Sequence, residues 1–232
     1  MTLSIIIPAF NEEKNIESAV KNAISAAEGK FSDFEILLFN DCSQDNTGVI
    51  IDKLKKEDSR IRVIHNRKNE GFANSYKKGV ELAEKDFVAM VPGDDEISAE
   101  SVSEIFGLVG KADIIIPYTV NRQIRSFSRQ LISSFFTALI NFLFGLKLKY
   151  FNGPVVHRRE LIQSIKIKSS SFAFQAEALV QLIKMGHSFI EVGMYIKNRE
   201  YGKSKALRLN NLLGVLKTVF ELFQKVYFSK KN

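Results

Sequence analysis

Gly93-Asp94-Asp95-Glu96 places three adjacent carboxylates directly after the apolar run Phe87–Val91. Neighbouring carboxylates repel one another, and a bound cation relieves that cost. Oxygen donors favour Mg²⁺ or Mn²⁺, and such an ion would bridge a diphosphate and stabilise it as a leaving group. On this reading Asp94 and Glu96, one residue apart in an extended turn, are the metal pair, and Asp94 and Asp95 lie at the catalytic centre. A solvated acidic turn capping a helix at Ser98 fits the same residues. A second polar cluster, Asn40-Asp41-Cys42-Ser43-Gln44-Asp45, follows another apolar run. Asp41 could accept hydrogen bonds from a nucleobase or ribose, while Asp45 reads more simply as a helix cap. Arg122, Arg125 and Arg129 precede a long apolar stretch. Arginine's planar fork suits phosphate, and Arg122 and Arg129 share a face if the segment is helical. Such a pair beside a lipophilic helix is what a lipid phosphate would need, and a solvated basic loop is the other reading. Arg199-Glu200-Tyr201-Gly202-Lys203-Ser204-Lys205 combines a glycine, a hydroxyl and three cations. It reads as an anion-binding loop able to close over a diphosphate, or as a charged linker. His65, His157 and His187 lack neighbours at ligand spacing and read as structural.

These residues need a frame. Leu3–Ile7 is a short apolar run ended by Pro8 and reads as a buried strand, and Glu35–Phe39, Ile61–His65 and Phe87–Val91 read as the second, third and fourth strands. Between them lie helical patterns over 12–28, capped at Asn11, from Asp45 or Thr47 to Glu57, and over 73–84. Alternating strands and helices predict an α/β fold, a mostly parallel sheet flanked by helices. Ligands in such sheets bind beyond the carboxyl ends of the strands, where the polar clusters lie. No G-x-G-x-x-G follows the first strand and no P-loop is present, which argues against a dinucleotide enzyme or an NTPase. Further on, helices are expected over 100–109, 130–144 and 172–185, and strands over 114–118 and 189–196. The 130–144 helix is apolar nearly all round, with a narrow polar stripe at Ser133, Thr137 and Asn141. Leu209, Leu213, Leu216, Phe220, Phe223 and Tyr227 form one apolar stripe on a last, amphipathic helix. It would dock on the domain, on a second copy in a homodimer, or on a membrane.

Charge is divided unevenly. Met1–Val120 carries 14 Lys and Arg against 21 Asp and Glu, and Asn121–Asn232 carries 19 against 5. A basic half rich in Phe suits an anionic membrane or a phosphorylated lipid. No helix-turn-helix or RNA-binding signature points to nucleic acid. The uncharged run 130–146 falls short of the roughly 20 residues a bilayer span needs, so an interfacial helix is expected. One cysteine, Cys42, excludes an internal disulfide and suits a reducing compartment. With no signal peptide visible, the expected location is cytoplasmic, peripheral at the inner face of a membrane.

The motifs occur in a known order. Ser4-Ile5-Ile6-Ile7-Pro8-Ala9-Phe10-Asn11-Glu12-Glu13, the Asn40–Thr47 segment, Asn69-Glu70-Gly71-Phe72-Ala73 and the acidic cluster together resemble family 2 glycosyltransferases of the GT-A fold. Arg129-Gln130-Leu131-Ile132-Ser133 and Arg199…Lys205 resemble the dolichol-phosphate mannose synthase and polyprenyl-phosphate branch. The resemblance covers roughly residues 3–206, leaving 207–232 as a C-terminal amphipathic helix. It implies that Pro8, Ala9, Asn11, Glu12, Asp41 and Gly71 hold the nucleoside of a UDP- or GDP-sugar, and that Asp94 and Glu96 ligate Mg²⁺ or Mn²⁺. Arg122 and Arg129 would hold the acceptor phosphate, and Arg199, Lys203 and Ser204 would close on the donor diphosphate. The implied reaction is inverting transfer of a sugar to a polyprenyl phosphate. A saccharide or glycolipid hydroxyl is the alternative acceptor, with Glu177 as base. A nucleotide-sugar-binding protein with weak turnover is a third reading. Three positions depart from the pattern: Asn40 replaces an aspartate, Pro92 stands at the first DxD aspartate, and Tyr150-Phe151-Asn152-Gly153-Pro154 replaces the Asp-x-x-Ser-Gly-Phe-type segment of the mannose synthases.

Overall fold

A computed structural model describes residues 1–197 and 209–228. The elements in order are β1 (Thr2–Ala9), α1 (Ile16–Ala27), β2 (Asp33–Asn40), α2 (Thr47–Glu57), β3 (Ile61–His65), α3 (Phe72–Leu82), β4 (Phe87–Met90), α4 (Ala99–Phe106), β5 (Ile114–Thr119), α5 (Phe127–Phe144), β6 (Val156–Arg158), α6 (Arg159–Ser164), α7 (Phe174–Lys184), β7 (Phe189–Met194) and α8 (Leu209–Phe228). Seven strands form one sheet in the order β3-β2-β1-β4-β6-β5-β7. All neighbours are parallel except β6, which runs antiparallel to both β4 and β5. The expected α/β, mostly parallel architecture is therefore present.

The central strands β1, β2 and β4 are buried on both faces because helices cover both. Ile5 and Ile7 of β1 join a core with α1, α2 and α4, while Ile6 turns to the opposite core with α3 and α7. This is period-two alternation in which neither face meets water. Gly79 of α3 lets that helix lie against β1, since a Cβ there would stand 2.6 Å from Cγ2 of Ile6. From β1 the chain steps outward through β2 and β3, then returns to place β4 on the other side of β1. That reversal makes the carboxyl ends of β1 and β4, where Pro8–Glu13 and Gly93–Glu96 begin, the point at which sheets of this kind bind ligands.

Local patterns mispredict four features. Asn11 does not cap a helix at Glu12: it has a φ of 58°, and α1 begins at Ile16 behind Asn15. The backbone N–H groups of Glu12 and Glu13 bond sideways to the loop after β2 instead. Arg122 and Arg129 do not share one helix. A 3₁₀ turn, Arg122–Ile124, is followed by extended backbone at Arg125 and by Ser126 as the N-cap of α5. β6 and α6 are unannounced, being three and six residues long. On α8 the described side chains that pack on the core are Val215, Val219, Leu222, Phe223 and Val226, whereas Phe220 is 62% exposed; the side chains of Leu209, Leu213 and Leu216 lie outside the described residues.

α5 is apolar on two sides: Ile140 and Phe144 are buried in the core, and further large apolar side chains face outward. Phe127, Leu131, Phe135 and Phe142 are between 60% and 84% exposed. Of the polar stripe, which is half-buried, Asn141 donates to the Leu148 carbonyl at 2.8 Å and accepts from the Leu148 N–H at 3.0 Å. Among the described residues α5 is the one helix long and apolar enough, by length and composition, to cross a membrane. α8 leans on this end of the molecule, with the Tyr227 hydroxyl donating to the Leu143 carbonyl and the Tyr227 ring stacked on Phe144.

Candidate active site

The loops after β1 and β2 are laced together. The Asn11 N–H donates to Ser43 Oγ (3.0 Å), and the Asn11 side-chain oxygen accepts from the Gln44 N–H (2.8 Å). The Glu12 N–H donates to Thr47 Oγ1 (2.8 Å), and Glu13 accepts from the Asn46 N–H and side-chain amide. Asp45 accepts from the Thr47 hydroxyl and N–H and from the Glu13 N–H. Burial pushes the Asp45 carboxyl up, but these hydrogen bonds outweigh it and hold the group below its ordinary range. The first two sequence motifs are thus one rigid rim, and Pro8 and Ala9 end the strand beneath it.

Asp41 organises the next segment. It is buried, and its Oδ1 accepts from Asn66 Nδ2 (2.8 Å) and the Glu70 N–H (2.9 Å), while Oδ2 accepts from the Gly71 N–H (2.8 Å). Gly71 has a φ of 87°, a left-handed conformation that suits glycine, and it leads directly into α3. Asn40 finds a partner suited to an amide. Its oxygen accepts from the Ser43 N–H, and its NH₂ meets His65 Nδ1 at 3.1 Å, while His65 Nε2 meets Asp52. An imidazole can accept at Nδ1 and donate at Nε2, which complements the Asn40 NH₂ on one side and the Asp52 carboxylate on the other.

The acidic cluster crosses the end of β1. The Gly93 N–H donates to the Pro8 carbonyl, and a Cβ at Gly93 would lie 2.9 Å from that oxygen. The three carboxylates then separate. Asp95, with a φ of 50°, turns to α1 and accepts from Ser18 Oγ (2.8 Å), Asn22 Nδ2 (2.9 Å) and Lys197 Nζ (2.6 Å). Asp94 Oδ1 accepts weakly from the Glu96 N–H at 3.3 Å. Glu96 faces Arg125, with Oε2 and Nη2 3.8 Å apart. Among the described residues no group of three or more His, Cys, Asp or Glu side chains is placed to hold a metal by itself. Asp94 and Glu96 are hard oxygen donors of the kind Mg²⁺ or Mn²⁺ takes when phosphate oxygens and water complete the shell.

The basic residues divide similarly. Arg122 Nη2 donates to the Lys149 carbonyl (3.0 Å), and Arg129 lies in the first turn of α5. Arg125, unremarked beyond being one of three arginines, is the one brought to the acidic cluster. It donates to the Tyr150 hydroxyl at 3.0 Å. The helix-start signal at Ser126 could have located it, by showing that Arg125 stands outside α5. Lys197 was also missed: it ties the acidic loop through its N–H to the Glu96 carbonyl and through Nζ to Asp95. Arg199, Lys203 and Ser204 lie outside the described residues. Glu177, on α7, is buried and accepts from the Lys168 N–H (3.1 Å) and the Ser169 N–H (2.9 Å), so it closes the loop before its own helix. A cavity of about 360 Å³ lined by Met1, Asp86 and Arg159 lies at the amino ends of the strands, away from all these groups.

Comparison with known proteins identifies the family and the fold. A polyprenol monophosphomannose synthase of Mycolicibacterium smegmatis is 26% identical over 214 residues, covering 87% of this chain and 79% of that protein. Glycosyltransferase GlyG of Streptococcus pneumoniae is 27% identical over 116 residues, covering 49% of this chain and 38% of that one. The chain spans about a third of the length of several curated relatives it matches. Glucosyl-3-phosphoglycerate synthase from Mycobacterium tuberculosis, solved with Mn²⁺, UDP and glucosyl-3-phosphoglycerate, superposes with a TM-score of 0.67 at 17% identity, covering 95% of this chain and 79% of that one. That likeness establishes the shared GT-A fold. Residues 4–166, from β1 through the laced loops and the acidic cluster to α6, match glycosyl transferase family 2, and the chain belongs to that family.

Proposed function

We propose that this protein transfers one sugar, with inversion, from a UDP- or GDP-sugar to a polyprenyl phosphate at a membrane surface. The observation that carries the acceptor reading is α5. A helix that buries Ile140 and Phe144 and still exposes Phe127, Leu131, Phe135 and Phe142 begins directly after the arginine-rich turn, and that turn reaches the acidic cluster through Arg125. A lipid phosphate is the molecule that needs an apolar surface and guanidinium groups side by side. The mannose synthase relative, matched over most of both chains, supports the same acceptor class.

The rim formed by Pro8, Ala9, Asn11, Glu12, Asp41 and Gly71 holds the nucleoside. Asp94 and Glu96 hold Mg²⁺ or Mn²⁺, which when bound neutralises charge on the leaving diphosphate. Asp95 positions this pair by pinning the loop to α1 and Lys197. Arg122 and Arg129 orient the acceptor phosphate, whose oxygen attacks the anomeric carbon opposite the leaving group. A phosphate is already ionised at neutral pH, so no protein base is needed. Arg199, Lys203 and Ser204 close over the donor diphosphate. The exposed Phe residues of α5, with Phe220 and Phe228 of α8, rest on the anionic inner leaflet and leave the site facing the cytoplasm.

A hydroxyl acceptor would require a base. Glu177 is poorly suited, because both its oxygens accept backbone N–H groups. Incubation with Mn²⁺, a panel of radiolabelled nucleotide sugars and short-chain polyprenyl phosphate, followed by partition into organic solvent, tests the proposal. Label in the organic phase is expected. Label only on an added saccharide, abolished in Glu177→Gln with donor binding intact, would replace it with the hydroxyl reading. No turnover or donor hydrolysis with any donor would leave a nucleotide-sugar-binding protein.

A further inference from the structure

Arg125 lies where no phosphate-binding role has been assigned. It is not at the acceptor positions given to Arg122 and Arg129, and its helix has not yet begun. Its side chain is 16% exposed and faces Glu96, itself 13% exposed, at 3.8 Å. The Tyr150 hydroxyl holds Nη1 from the other side. Nε is buried and has no hydrogen-bond partner among the described residues. A buried, unpaired guanidinium N–H is costly, and it marks an arginine whose donors are not all spent in this state.

We propose that Arg125 is a positioning residue that guards Glu96. Its guanidinium neutralises the carboxylate while the donor is absent, so free divalent cation binds poorly. The donor diphosphate brings the negative charge that draws Arg125 off Glu96 and completes the cation's oxygen shell. Metal and donor therefore bind together. This rests on reading Asp94 and Glu96 as the metal pair. Tyr150, the anchor for this guard, belongs to the segment that departs from the mannose synthase pattern.

The test is Mn²⁺ binding to the full chain by electron paramagnetic resonance, with neither donor nor acceptor present. Arg125→Gln is expected to tighten Mn²⁺ binding about tenfold, the scale of one charge-assisted contact. Arg122→Gln makes the same charge change without touching Glu96, and is expected to stay within about twofold of wild type. In a Glu96→Gln background Arg125→Gln should have no effect, because the two act through one contact. Should Arg125→Gln fail to fold, Arg125→Lys, which keeps the charge and loses the fork, carries the test with a gain of about threefold expected. Equal shifts for Arg122→Gln and Arg125→Gln, an unchanged affinity, or an effect that survives Glu96→Gln would overturn the proposal. No acceptor enters this measurement, so its failure leaves the polyprenyl phosphate reading standing, and failure of the partition assay leaves Arg125 untouched.

Discussion

Asp41→Asn separates two roles for one carboxylate. Asp41 accepts three hydrogen bonds, from Asn66 Nδ2, the Glu70 N–H and the Gly71 N–H. Asparagine has one oxygen to place. If it takes the Oδ1 position, the bonds from Asn66 and Glu70 survive, and an NH₂ group meets the Gly71 N–H donor to donor. The reverse orientation loses two bonds instead of one. The cheaper choice still forfeits one charge-assisted hydrogen bond and leaves a partly buried N–H unpaired, about 2–3 kcal/mol in all. The loss falls on the residues that start α3, so it should be local as well as global. Urea denaturation should show a lower midpoint, and amide exchange at Glu70 and Gly71 should quicken more than in β1. Calorimetry with UDP and GDP completes the measurement. Wild-type stability and exchange in Asp41→Asn would refute the account of Asp41 as organiser of this loop. Weakened nucleotide binding with unchanged stability would instead make it a direct nucleoside ligand.

Other perturbations test other parts. Gly93→Ala puts a Cβ 2.9 Å from the Pro8 carbonyl and 3.0 Å from Ile16 Cδ1, so the acidic loop must lift off β1. A loss of about 1–3 kcal/mol in unfolding free energy is expected, with a fall in turnover of roughly 100-fold from the displaced carboxylates; full activity in the sugar-transfer assay would contradict the close crossing. His157 lies buried in β6, and burial pushes its pKa down to about 3. The unfolded chain then binds more protons than the folded one between about pH 6.5 and 3, so His157 contributes stability that is lost as pH falls through that window. The slope due to His157 is about 1.4 kcal/mol per pH unit, and urea midpoints of His157→Leu measured from pH 7 to 5 should lack it. Phe127→Ser, Phe135→Ser and Phe142→Ser together should abolish flotation with anionic liposomes at low salt while leaving the melting temperature within a few degrees, because these side chains are exposed; flotation at the wild-type level would remove α5 from the membrane reading.

Much of this was legible because it is local. Ile61–His65 is a strand in the sequence pattern and in the structure alike, and its boundaries need nothing beyond an apolar run and polar flanks. α2 and α3 agree to within a residue or two, for the same reason. What was illegible depends on residues far apart in the chain. Asn11 and Glu12 look like a helix start, and their backbone is instead taken by Ser43 and Thr47, more than thirty residues away. Val156-His157-Arg158 is too short to read as a strand and exists because β4 and β5 leave a gap between them. The four-and-three spacing on α8 chooses Phe220, but the surface that receives the helix accepts Val219 and Leu222, one residue round.

The acidic cluster shows how far such reasoning reaches within a single motif. Spacing already sets Asp94 and Glu96 apart as a pair, but it does not say where the carboxylate between them goes. The backbone separates them. A left-handed turn at Asp95 sends the middle carboxylate to Ser18 and Asn22, on a helix seventy residues earlier, and Lys197, a hundred residues later, closes on it from the other side. With the middle charge neutralised, Asp94 and Glu96 are held on a loop that cannot drift, because Gly93 is fixed against Pro8. The same division explains the arginines. The break before Ser126 leaves Arg129 on α5 and sends Arg125 to Glu96. Spacing can nominate residues for a site, but it is the partners reached across the sheet that divide them between chemistry and scaffold.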